Sequence, residues 1–214
     1  MATIAVISGG LREPSSTRLL ADQLDSAVRA ELTRSGLPAT SSFVELRPLG
    51  RAIMDAMLTG FAGPELESAF ETVAAADGVI AVTPAFNASF SGLFKSFFDV
   101  LPEHTLSDMP ILIAATGGTE RHSLVLEHAL RPMFSYLHGV VSPIGVYAAT
   151  DDFGGQAGSS ALAERIGKAA ADFVRLLRSC GSRTRRDAFA EDVGEMTRLL
   201  TGTQPGNPMG RVED

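Results

Sequence analysis

Apolar positions along the chain fall into two rhythms that alternate. Short runs of aliphatic and β-branched residues are separated by longer stretches in which apolar residues return every three or four positions. The first rhythm is that of buried parallel strands, the second that of helices with one core-facing stripe. Thr3 to Ile7 reads as a first strand, ending in Ser8-Gly9-Gly10. A helix over Ser16 to Arg34 follows, with Leu20, Leu24, Val28 and Leu32 on one stripe, Ser16 as N-cap and Ser35-Gly36-Leu37-Pro38 as its stop. Thr40 to Arg47 is a weaker strand nearer an edge. Pro48 to Gly63 suits either a short helix or an apolar cover loop, through Ile53, Met54, Met57 and Leu58. Pro64 fits the first turn of a helix that carries Leu66, Phe70, Val73 and Ala74.

Gly78 to Val82 is the third strand. It stops at Thr83-Pro84 and releases a polar loop to Ser91, ahead of an amphipathic helix reaching Asp99. Phe94, Phe97 and Phe98 on that helix suit core or subunit packing. Ile111 to Ala115 is the fourth strand, ending in Thr116-Gly117-Gly118-Thr119. Ser123 can cap a helix carrying Leu126, Leu130, Met133, Phe134 and Leu137, in which Pro132 predicts a kink or a break near Arg131. Val140 to Tyr147, interrupted by Pro143, is the fifth strand. Asp151 to Ser160 reads as a mobile Gly-rich connection, and Ser160 opens a last helix with Leu162, Ile166, Ala169, Phe173 and Leu176. Beyond Cys180 the pattern changes: Arg183 to Leu200 suits an appended helix, and Thr201 to Asp214 reads as a disordered tail. Strands alternating with helices at this rhythm predict an α/β flavodoxin-like three-layer sandwich, a five-stranded parallel sheet of order 2-1-3-4-5. It forms one domain over residues 1–180, with 181–214 as a C-terminal extension.

Composition narrows the function. A net charge of −7 on 214 residues argues against a nucleic-acid footprint, which needs clustered Lys and Arg. The single cysteine, Cys180, excludes an intramolecular disulfide and a multi-cysteine zinc site and fits a reducing compartment. The opening MATIAVISGG lacks a basic n-region, and no apolar run approaches the roughly 18 residues that span a bilayer. The expectation is a cytoplasmic protein without membrane or nucleic-acid partners. His104, His122, His128 and His138 form no HExxH, and there is no GxSxG nucleophile elbow.

All strands of a parallel sheet point one way, so the loops Ser8 to Thr17, Thr83 to Ser91 and Thr116 to Ser123 share its carboxyl edge, where open α/β sheets bind ligands. In the first, Gly9 and Gly10 allow close backbone approach. Ser8, Ser15, Ser16 and Thr17 offer hydroxyls and amides at a helix N-terminus, and Arg12 a charged donor. This suits a phosphate, although neither GxxxxGK[ST] nor GxGxxG is present, and a plain capping turn has the same residues. In the second loop, Pro84, Ala85, Phe86, Asn87, Ala88 and Ser89 combine backbone polar groups, an amide and an aromatic face, a mix suited to a flat heteroaromatic ring. Thr116, Gly117, Gly118 and Thr119 bring bare backbone to the same place. Phosphate at one end and ring at the other describe a mononucleotide, flavin mononucleotide (FMN) before a dinucleotide.

These residues resemble the NADPH-dependent FMN reductase family. Its first loop, GSxRxxSxNR, appears here as GGLREPSSTR over Gly9 to Arg18, with Gly10 in place of Ser and Thr17 in place of Asn. Its second signature, TPEYNxSxPGxLKNxxD, appears as TPAFNASFSGLFKSFFD, with Ala85-Phe86 for Glu-Tyr and Ser91 for Pro. The stretches SGGL, PSSTRLLA and GGTERHSLVLEHALRPMF are similar to an actinobacterial subgroup that partners luciferase-like flavin monooxygenases. The resemblance implies hydride transfer from NADPH or NADH to FMN and a homodimer or homotetramer with flavin near the subunit boundary. It also implies charge stabilisation by the amides of Gly117 and Gly118, with no catalytic side chain. Arg121 and His122 either contact the nicotinamide nucleotide's phosphates or form a solvated cap. A quinone- or azo-type reductase with bound FMN and a non-catalytic electron carrier are the alternatives.

Overall fold

In the computed structural model, which describes residues 1–181, the chain runs β1 (Ala2–Ser8), α1 (Ser16–Arg34), β2 (Ala39–Glu45), α2 (Gly50–Thr59), α3 (Pro64–Ala74), β3 (Gly78–Phe86), β4 (Ser89–Phe90), α4 (Gly92–Val100), β5 (Pro110–Gly117), α5 (Arg131–Tyr136), β6 (Val140–Val141), β7 (Val146–Ala149) and α6 (Gly155–Cys180). The helix expected over Arg183 to Leu200 and the tail after it lie outside the described residues. The parallel sheet has the order β2-β1-β3-β5, and its fifth position is shared by β6 and β7. That is the flavodoxin-like order, with seven strands in place of the five expected.

Two differences account for the extra strands. The expected fifth strand breaks at Pro143, which has no N–H for the ladder. Val140-Val141 pair with Pro110-Ile111, and pairing resumes only at Val146 against Ala114. The excursion is anchored, because Ser142 Oγ donates to the buried Asp172 on α6 (2.8 Å) and Arg131 donates to the carbonyls of Ser142 and Pro143. The third strand does not stop at Thr83-Pro84. It continues to Phe86 and folds back as an antiparallel hairpin, Ala85 opposite Phe90 and Phe86 opposite Ser89.

Alternation along each strand divides the core in two. Ile4, Val6, Ile80, Val82, Leu112 and Ala114 face α1 and α6, where Leu20, Leu24, Val28 and Leu32 are fully buried, as their spacing predicts. Each such side chain contributes about 1.5–3 kcal/mol. Ala5, Ile7, Val79, Ala81, Ile111 and Ile113 face α2 to α5. There Phe94, Phe97, Phe98 and Phe134 form an edge-on cluster with centroids 4.9–6.3 Å apart, so the α4 aromatics are core. Pro48 to Gly63 resolves into helix α2, which buries Ile53 and Ala56 but leaves Met54, Met57 and Leu58 exposed. Pro132 has the effect its lack of an N–H demands: a π-turn over Leu126–Leu130 precedes it, and the regular helix starts at Arg131. A 3-10 turn, Thr150–Phe153, follows β7, and α6 starts at Gly155, five residues before the expected Ser160.

Candidate functional site

The three loops do meet at the carboxyl edge of the sheet. Loop one leaves β1 at Ser8, and the Gly9 amide bonds Val82 O at 2.8 Å, which ties it to β3. Ser15, not Ser16, caps α1: its Oγ accepts from the Arg18 amide at 3.2 Å. A Cβ on Gly10 would lie 2.2 Å from that Oγ, and one on Gly9 3.0 Å from the Phe94 ring, so with these side chains in place both glycines let the backbone pack closely. The amides of Gly10, Leu11, Arg12, Ser15, Ser16 and Thr17 find no acceptor among the described residues. Such a run of free donors at a helix N-terminus is an anion cradle. The Arg12 side chain is exposed and makes no ion pair among the described residues, whereas Arg18 pairs with Asp22 and Glu45 and Arg47 with Glu13. Gly10, Arg12 and Ser15, with the paired Arg18 and Arg47, line a cleft of about 590 Å³ beside the loop.

Loop two is the hairpin. Asn87 (φ 48°) and Ala88 (φ 63°) form a two-residue turn with both residues left-handed. Asparagine tolerates that region; for Ala88 it costs about 1–2 kcal/mol. The turn carries Phe86, Asn87, Ala88 and Ser89 out to solvent, with Phe86 41% exposed. Thr83 and Pro84, by contrast, are buried at its base. The Ser91 amide donates to Pro84 O at 3.1 Å and to Thr83 Oγ1 at 3.3 Å, which closes the hairpin onto α4.

Loop three is braced from both sides. Thr17 Oγ1 and Thr116 Oγ1 share a buried hydrogen bond of 2.8 Å, which joins it to loop one. The Thr17 hydroxyl thus braces the two loops, and Ser8 is buried in the wall of the cleft. Gly117 still belongs to β5, paired with Ala149; the amides without an acceptor are those of Gly118 and Thr119. Arg121 and His122 are exposed on the 3-10 turn that follows. Sequence reasoning passed over one contributor, Tyr147 on β7, whose phenol donates to Thr119 O at 2.7 Å. The available signal was a tyrosine inside a buried apolar strand, where its hydroxyl must find a partner. Burial, with the Asp152 carboxylate adding to it, pushes this phenol above the usual tyrosine range, so it remains a donor.

The sequence profile of NADPH-dependent FMN reductases matches residues 2–154. An FMN reductase (NADPH) of Pseudomonas aeruginosa is 39% identical over 150 residues, 70% of this chain and 78% of its own. The NADH-dependent FMN reductase SfnE of Pseudomonas putida is 40% identical over 179 residues, 81% of this chain and 91% of its own. Among solved structures, an oxidoreductase from Corynebacterium diphtheriae superimposes with a TM-score of 0.79 at 46% identity, covering 84% of this chain and 98% of its own.

Proposed function

The chain belongs to the NADPH-dependent FMN reductase family, and on that premise we propose that its three loops are the FMN site of an NAD(P)H:flavin oxidoreductase. The observation that carries the assignment is the group of loop-one amides, Gly10 to Arg12 and Ser15 to Thr17, that have no acceptor among the described residues, next to Arg12, which makes no ion pair among them. They fit a phosphate dianion, and the dipole of α1 adds to the attraction. Ser15 and Ser16 hydroxyls complete the cradle. The exposed hairpin, Phe86 to Ser89, and the acceptor-free amides of Gly118 and Thr119 are left for the ring.

Bound FMN supplies the hydride-accepting chemistry; the protein supplies binding, orientation and electrostatics. The Gly118 and Thr119 amides are donors for negative charge at the ring edge, a preorganised arrangement that costs no reorganisation during reaction. The site assembled here assigns no proton transfer to a side chain. Both NADPH and NADH are named among the relatives, and the reading takes either as donor. Residues 1–180 are the flavin-binding domain of a cytoplasmic homo-oligomer that supplies reduced flavin to a flavin-dependent monooxygenase. Among the described residues, no helix is long and apolar enough to cross a membrane.

Mixing the purified protein with NADPH or NADH and FMN, and following nicotinamide absorbance, tests the activity. Consumption well above the protein-free control is expected; none with either donor would overturn the reading. FMN bound one to one and resistant to exchange would instead assign an enzyme that keeps its flavin.

A further inference from the structure

Between its braces at Thr116 and Thr119, loop three is bare. Nothing lies within 4 Å of where a Cβ on Gly118 would be, and the Gly118 and Thr119 amides have no acceptor among the described residues. The short tether on this turn is the Tyr147 phenol on Thr119 O, at 2.7 Å; the His122 amide reaches the same oxygen only at 3.5 Å. Tyr147 is itself rigidly placed. It sits 9% exposed in β7, in register with Ala115 of β5, and a guanidinium nitrogen of Arg165 lies 3.5 Å from its carbonyl. The same phenol dictates Gly117, where a Cβ would fall 2.1 Å from its oxygen.

Packing alone does not account for the hydroxyl, since phenylalanine would fill the same core volume. We infer that Tyr147 is a positioning residue of the flavin site: its bond to the Thr119 carbonyl holds the turn 117–119 in the conformation that keeps the Gly118 and Thr119 amides free for the ring. Tyr147 acts through the loop and does not touch flavin. The inference rests on the three loops being the flavin site.

Because Tyr147 serves the ring and Arg12 the phosphate, flavins with and without phosphate separate them. FMN and riboflavin are titrated by quenching of flavin fluorescence into wild type, Tyr147→Phe and Arg12→Ala, with thermal midpoints taken in parallel. Tyr147→Phe is expected to raise both dissociation constants by the same factor, about fivefold, with the midpoint little changed. Arg12→Ala is expected to weaken FMN alone. Gly117→Ala, which pushes the phenol off Thr119, should reproduce the Tyr147→Phe signature, and the double variant should bind no more weakly than Gly117→Ala because both act through one contact. Unchanged affinities in Tyr147→Phe, beside an Arg12→Ala that loses FMN, would overturn the inference and leave the site standing. So would additive losses in the double variant, or a fall in midpoint that accounts for the loss. Wild type binding neither flavin would overturn both.

Discussion

At the residue scale, the site depends on which polar groups are already committed. Three arginines line the cleft at loop one; Arg18 and Arg47 are held by carboxylates, whereas Arg12 makes no ion pair among the described residues. Arg12→Ala is therefore expected to weaken FMN by about 1–3 kcal/mol, the scale of a charged hydrogen bond, measured as a dissociation constant. An unchanged constant would move the phosphate elsewhere. Ser91 presents the opposite case. Its fully buried Oγ has no hydrogen-bond partner among the described residues, although its amide closes the hairpin. Removing an unsatisfied hydroxyl relieves a desolvation cost, so Ser91→Ala should be neutral or stabilising by up to about 1 kcal/mol in urea unfolding. A clear loss of stability would show that the hydroxyl has a bonded partner such as water.

At the scale of elements, the π-turn ahead of α5 is stapled by one ion pair. Arg131 bonds both carboxylate oxygens of Glu127, at 2.6 and 2.9 Å, while it also reaches the carbonyls of the broken fifth strand. The Arg131 hydrogen bond, chiefly, holds the Glu127 carboxyl below its usual range, against a smaller opposing effect of burial. A carboxyl lowered in the folded state contributes stability that is present above its unfolded pKa and lost as pH falls through the folded one. Glu127 is half exposed, so the contribution is only tenths of a kcal/mol. Glu127→Gln should lower the thermal midpoint slightly at neutral pH, with the gap closing on acidification through the carboxylate range. A gap independent of pH would mean that the pair contributes nothing through its charge.

At the scale of the whole molecule, the ligand edge and the core are mechanically one. Phe94 is fully buried, stacks edge-on with Phe90, Phe98 and Phe134, and lies where a Cβ on Gly9 would meet it. It thus supports loop one, the hairpin and α5 together. Phe94→Ala is expected to cost about 3–5 kcal/mol in urea unfolding, with flavin affinity falling as the loops lose their floor. Full affinity in a destabilised variant would show that the loops are held from above.

Much of this was legible along the chain because it depends on local periodicity. The Leu20-Leu24-Val28-Leu32 stripe, the buried runs of β1, β3 and β5, and three glycine- and hydroxyl-rich loops at strand ends are set by near neighbours, and parallel topology then places those loops on one edge. The resemblance to FMN reductases is likewise read from short motifs. What local pattern does not contain is pairing between residues far apart. Nothing near Thr17 or Thr116 in the sequence says that the fold brings their hydroxyls within 2.8 Å of each other and joins the first and third loops. Thr83-Pro84 reads as the end of a strand because proline lacks a donor, yet that amide is not needed where Ser91 supplies the closing bond to its carbonyl. Tyr147 reads as one more core residue, and only the approach of β7 to β5 carries its hydroxyl across to the third loop. Periodicity names the faces of elements; contacts across the sheet edge depend on how those faces are stacked, and there the tertiary structure alone assigns which polar groups remain free for a ligand.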